Sequence, residues 1–366
     1  MSPRTRAFIA IAGTTMFAGM AVACSGGTED AGPLRPEVVE IRGTAPSTTV
    51  KTRPNATGSS LAGPEITLPT NTSLGVDTGP KGGTIAPGVS VTPTTVTGSA
   101  PYRVETGKVT LTDTSRGTPA RGDNEASDRR VLETTMYVPV GRPKAPLIVF
   151  AIGFNASAET YDTFVREIAA GGYMVAVPEF PMATSTLPGK ASQADLPNQP
   201  ADVKFVITQL LEASKRTGAF FNAIDANRIG VVGQSDGGNT VSAIGLNSCC
   251  LDSRVKAVVS LAGEKAFMPT TWVNTGTLPY LAIHGTADTI TPYARSEELY
   301  AAAGSPKFLA SIAGADHLGP VTDNSVRPAV VKLTLDFLEF YVNADSNAYD
   351  RFVAGAKVPP FSLTGA

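Results

Sequence analysis

Two histidines in a chain of 366 residues leave few choices of general base, and both stand downstream of a serine set among glycines. The serine is Ser235, in Gly233-Gln234-Ser235-Asp236-Gly237-Gly238; the apolar run Ile229-Gly230-Val231-Val232 precedes it and the small-residue stretch Asn239–Leu246 follows. A bare G-x-S-x-G match arises by chance in Gly/Ser loops. With a strand before it and a helix after it, the match predicts a sharp turn that exposes the hydroxyl above the sheet edge, where Gly233 and Gly237 let backbone pass close to backbone. A serine hydroxyl is a weak nucleophile at neutral pH and needs a base within hydrogen-bond reach, itself oriented by a carboxylate. His317, in Ala315-Asp316-His317 after the last apolar run, is the expected base, whereas His284 is expected to shape a neighbouring loop. The acid is Asp288 or Glu264. Asp288 holds the slot between nucleophile and base that the chain order Ser, Asp, His requires; Glu264 follows the preceding strand, from which some enzymes draw their acid. An oxyanion would find backbone N–H donors at Asp236, next to the nucleophile, and at Phe154 in Ile152-Gly153-Phe154-Asn155.

These residues need a scaffold, and the stretch from Tyr102 to about Val342 supplies one. Strand-like runs lie at Val104–Leu111, Val131–Val138, Leu147–Ile152, Tyr173–Val177, Ile229–Val232, Val255–Leu261, Tyr280–His284 and Phe308–Ile312. Amphipathic helices fall between them, for example Tyr161, Phe164, Val165 and Ile168 at helical spacing, stopped by Gly171-Gly172. The alternation predicts an α/β fold with a mostly parallel eight-stranded sheet and helices on both faces. Pro178–Pro200 is Pro-rich and polar without helical period, so it reads as a loop and not as a separate lid domain.

The remainder of the chain has a different texture. Arg4 and Arg6 precede the apolar stretch Ala7–Val22, a secretory signal pattern over residues 1–23. Ala21-Val22-Ala23-Cys24 resembles a bacterial lipobox, with Cys24 as the lipidated residue and Ala21 where Leu is usual; an ordinary cleavage site releasing a soluble protein is the alternative. Residues 24–100 are rich in Gly, Pro, Ser and Thr and lack aromatic residues, which predicts a disordered tether. The catalytic domain is expected over 101–343, with a C-terminal tail over 344–366. The net charge of −2, without like-charge runs, excludes an electrostatic nucleic-acid partner and leaves a lipid anchor as the only expected membrane contact. Three cysteines and two histidines predict no metal and no cofactor. Cys249-Cys250 reads as either a vicinal disulfide in an oxidising compartment or two buried thiols.

The motifs together resemble the α/β-hydrolase superfamily, in the branch of dienelactone-hydrolase-like, platelet-activating-factor-acetylhydrolase-like, chlorophyllase and cutinase-like enzymes. The likeness spans Tyr102 to about Val342. It is carried by Val109–Pro119, Gly153-Phe154, Gly233–Gly238, His284–Pro292 and Ala315–His317. It implies an α/β-hydrolase fold, a serine esterase acting on small-molecule, lipid or polymer esters, and an oxyanion hole at Phe154 and Asp236. Two departures bear on substrate. Asp236 stands where cutinase-like members carry Met, and Glu264-Lys265-Ala266-Phe267 stands near their usual Trp. Dienelactone hydrolases proper use Cys where this chain has Ser235. Acyl transfer to an alcohol and a non-catalytic binding module are the competing readings.

Overall fold

The computed structural model describes residues 101–216, 224–266, 268, 270, 272 and 278–365. The expected signal, Cys24 and the tether over 24–100 lie outside the described residues, as does Phe267. Nine strands form one sheet in the order β1 (Val104–Asp113), β2 (Arg130–Pro139), β4 (Met174–Pro178), β3 (Ala145–Ala151), β5 (Ile224–Gln234), β6 (Val255–Leu261), β7 (Tyr280–Gly285), β8 (Lys307–Ile312), β9 (Phe361–Thr364). Neighbours from β4 through β8 run parallel, while β1, β2 and β9 pair antiparallel at the flanks. Every residue of β3, β4 and β7 is buried, as an apolar strand covered on both faces must be. β1 and β2 instead alternate toward and away from the core over much of their length.

Helix α1 (Asp162–Ala170) and α6 (Arg327–Tyr341) pack on each other and on the sheet; α2 (Gln199–Ser214) and α3 (Asp236–Leu246) form a second such pair. The apolar stripe of α1 is buried at Phe164, Val165 and Ile168. α3 is buried along its whole length, and its small residues permit this: a Cβ on Gly245 would stand 2.9 Å from Val258. The remaining helices are α4 (Ala294–Ala302), the short α5 (Gly319–Thr322) and α7 (Ala348–Gly355).

The eight expected strands are present, and the ninth lies in the segment expected as a tail. Within the expected tail of 344–366, residues 348–355 and 361–364 instead contribute α7 and β9 to the domain. An aromatic cluster binds α7 down: Phe308 of β8 meets Phe352 of α7 at 5.0 Å between ring centroids, and Phe337 of α6 meets the same ring at 5.5 Å. Four residues following two prolines carry too little alternation to read as a strand. No inserted helical domain interrupts residues 179–192, which run as turns and loop into a 3-10 helix at Gln193–Asn198.

Candidate active site

Because β3, β5, β6, β7 and β8 are parallel, their carboxyl ends deliver the loops carrying Phe154, Ser235, Glu264, Asp288 and His317 to one edge of the sheet. Open α/β sheets place ligands at this edge. Ser235 joins β5 to α3 at φ 56°, ψ −124°, a conformation a non-glycine residue holds only under surrounding constraint. The constraint comes from both sides. A Cβ on Gly233 would lie 2.2 Å from Gly237 O, and one on Gly237 would lie 1.9 Å from Ala151 O, so only glycine lets the elbow close. The helical ladder of α3 begins with Asn239 N–H donating to Ser235 O. The N–H groups of Asp236, Gly237 and Gly238 therefore precede it and have no acceptor within the helix.

His317 and Asp288 come together across the loops after β8 and β7. His317 Nδ1 stands 2.7 Å from Asp288 Oδ2, with both residues buried. The other carboxylate oxygen, Oδ1, accepts N–H groups from Ile290 (2.8 Å) and Thr291 (2.9 Å). Burial pushes the Asp288 carboxyl up, but the His317 contact and these two N–H donors outweigh it and hold the group below the usual carboxylate range. Nδ1 occupied in this way leaves Nε2 of His317 as the nitrogen that can take a proton. Glu264, the rival acid, lies elsewhere: its N–H donates to Asn239 Oδ1 and its carboxylate stands 3.6 Å from Arg295 Nε at the surface.

The loop after β3 lies directly against the elbow, since a Cβ on Gly153 would be 3.3 Å from Ser235 Cβ. Gly153 N–H donates to the Tyr161 hydroxyl, Tyr161 donates to Gln234 Oε1 at 2.7 Å, and Gln234 Nε2 donates to His317 O at 3.1 Å. A buried chain of side chains thus ties the Phe154 loop, the elbow and the loop of His317. Asn155 takes a left-handed φ of 53° and donates its N–H to Ala183 O, while Ser185 N–H donates to Ala156 O. Buried Arg121 fastens that second loop by donating to the carbonyls of Pro181, Thr184 and Gly189. The Asp236 carboxylate accepts from Gln193 Nε2 and Asn239 Nδ2; burial pushes it up, against the Gln193 hydrogen bond and the proximity of His317.

A family model described as PET hydrolase-like matches residues 133–362, from β2 into β9. The chain belongs to that family. This PET hydrolase-like protein is accordingly a serine ester hydrolase of the α/β-hydrolase superfamily, in its cutinase-like esterase branch. A comparison with curated proteins finds no match.

Several parts of this PET hydrolase-like site escape motif reading. Gln234 occupies a variable position of G-x-S-x-G, Tyr161 reads as one more residue of a helical stripe, and Gln193 lies in a segment without periodicity. Cys249 and Cys250 are bonded to each other at the end of α3. Phe154, Leu187, Ile290 and Leu318 are exposed, on the loops that follow β3, β4, β7 and β8.

Proposed function

We propose that this protein hydrolyses neutral, apolar carboxylic esters through an acyl-serine intermediate. Ser235 attacks the carbonyl carbon while His317 takes its proton through Nε2. Asp288 holds the imidazole in the required tautomer and stabilises the imidazolium. The N–H groups of Phe154 and Asp236 receive the oxyanion, and collapse expels the alcohol with a proton from His317. Water, deprotonated by the same ring, then releases the acid. The observation that carries this reading is the buried contact of His317 Nδ1 with Asp288 Oδ2, at the sheet edge where Ser235 sits on its strained elbow.

The four exposed apolar side chains on the surrounding loops favour an apolar ester, and the carboxylates of Asp236 and Glu264 disfavour an anionic one. We further propose that the chain is exported, with Cys24 lipidated. The signal pattern and the Cys249–Cys250 bond, which an oxidising compartment preserves, support this.

The test is turnover of p-nitrophenyl acetate, butyrate and octanoate, with labelling by a fluorophosphonate. Native protein is expected to hydrolyse these esters and label at Ser235, while folded Ser235→Ala and His317→Ala lose about 10⁴-fold or more in kcat. Folded native protein that is inert on all three and unlabelled removes the esterase reading.

A further inference from the structure

His284 has no exposed surface and no place in the steps above, yet its ring is aimed at the carboxylate they depend on. Its Nε2 lies 3.0 Å from Asp288 Oδ2 and 2.9 Å from Thr291 O. A backbone carbonyl and a carboxylate both accept only, so Nε2 carries the hydrogen and donates to them. In the neutral ring Nδ1 is then an acceptor, and the Ser296 hydroxyl meets it at 2.6 Å, with Gly263 O a longer 3.2 Å away. A continuous buried line results: Ser296 of α4, His284 of β7, Asp288, His317.

The choice of oxygen matters. Oδ1 of Asp288 already has two backbone donors, and His284 adds nothing there. It donates instead to Oδ2, the oxygen that holds His317. A carboxylate oxygen shared between two N–H donors offers less negative charge to each. We propose that His284 is a positioning residue of the site: by loading Asp288 Oδ2 it limits how firmly the carboxylate fixes a proton on His317, keeping the base free at lower pH. This rests on His317 as the base wherever activity is the readout.

The surroundings leave few other groups to produce the effect. Among the described residues, the charged or titratable groups facing the ring are Asp288 and His317; Tyr293, before α4, lies edge-on at 5.7 Å with its hydroxyl engaged by Ser311. Ser311 is also the residue beside His284 on β8, and on the other side β6 contributes Leu261 and Ala262. Beyond Gly263, Glu264 is directed to Arg295. Burial holds the His284 ring below the ordinary value of 6.5 despite Thr291 O and Asp288, so it remains neutral while it donates.

Gln and Met at position 284 are nearly isosteric, but only Gln presents an N–H where the ring presents Nε2–H. The chain has two histidines, so ring resonances of histidine-labelled full-length protein give the His317 titration without needing turnover. In His284→Met the His317 midpoint is expected to rise by about half a pH unit or more, and the acid limb of kcat/KM to rise with it. His284→Gln should leave both near their native positions. A His317 midpoint in folded His284→Met within about 0.2 unit of native overturns the proposal. So does a shift of about half a pH unit or more in folded His284→Gln, and this arm stands even if the Met variant does not fold. An inert native protein whose His317 midpoint still separates Met from Gln would sink the esterase reading and leave this one standing. An active protein with no separation does the reverse.

Discussion

Two buried polar clusters flank the same sheet edge, and they are finished differently. In one, Arg130 at the start of β2 donates through Nε and Nη2 to both oxygens of Asp202, at 2.6 and 2.7 Å, and through Nη1 and Nη2 to both oxygens of Asp195. Asn198 adds a bond to Asp195, and Arg116 bridges Asp202 to Asp113. Burial works against the Arg130 charge, and the two aspartates more than restore it. Each nitrogen of that guanidinium has a partner inside the protein. In the other cluster, Asp288 is saturated but the order stops at His317 Nε2, Ser235 stands on a strained elbow, and the first N–H groups of α3 precede any helical acceptor. A closed cluster stabilises a fold. An open one keeps unspent hydrogen-bonding capacity where charge develops during a reaction.

The sharpest way to break the comparison is to remove charge from each cluster. Asp288→Asn keeps the shape but presents an amide to His317, which permits the wrong tautomer; kcat on p-nitrophenyl butyrate is expected to fall by about 10⁴ with melting little changed. Arg130→Met should do the opposite. It takes the shared cation from two buried carboxylates, leaving, among the described residues, Asp195 only Asn198 and Asp202 only Arg116, and is expected to cost about 3–5 kcal/mol of stability in urea titration, while the folded fraction retains activity within a few-fold. A large kcat loss in folded Arg130→Met would show that this cluster also serves the chemistry. The route would be Gln193, which precedes Asp195 by two residues and holds Asp236.

That difference also marks what could be read in the sequence. Ser235, Asp288 and His317 announce themselves because each sits at a strand end in a fixed chain order, a local pattern that one-dimensional reading captures. The eight strands were legible for the same reason, from apolar runs bounded by turn residues. Arg130 gives no such signal: its partners are 65 and 72 residues away, and nothing local links them. β9 was hidden by its brevity, and the order of residues 344–365 depends on rings contributed by β8 and α6. Gln234 and Tyr161 were hidden in plain positions, since their role appears only when three loops converge.

Gln234 sharpens the comparison from inside the open cluster, being hydrogen-bonded at both Oε1 and Nε2 while it holds the segment of His317, whose Nε2 is free of such a bond among the described residues. Gln234→Leu releases His317 O and leaves the Tyr161 hydroxyl without its acceptor. Loosening His317 and the Phe154 loop together is expected to lower kcat about 10- to 100-fold with a small change in KM. Equal losses in kcat and 1/KM would point to a displaced substrate pocket instead.

The smallest effect is expected at Cys249–Cys250, which is covalent and lies beside neither cluster. A cross-link stabilises chiefly by restricting the unfolded chain, the more so the longer the loop it closes, and adjacent residues close almost none. The surrounding order comes from buried Asn247, whose Oδ1 accepts Cys249 N–H and whose Nδ2 donates to Thr270 O. Reduction by a thiol should therefore shift stability by less than about 1 kcal/mol, whereas Asn247→Ala removes part-buried hydrogen bonds to Cys249 and Thr270 and should cost about 1–2 kcal/mol. If calorimetry finds reduction the more costly of the two, the bond itself, and not the asparagine, fixes the chain just past the end of α3.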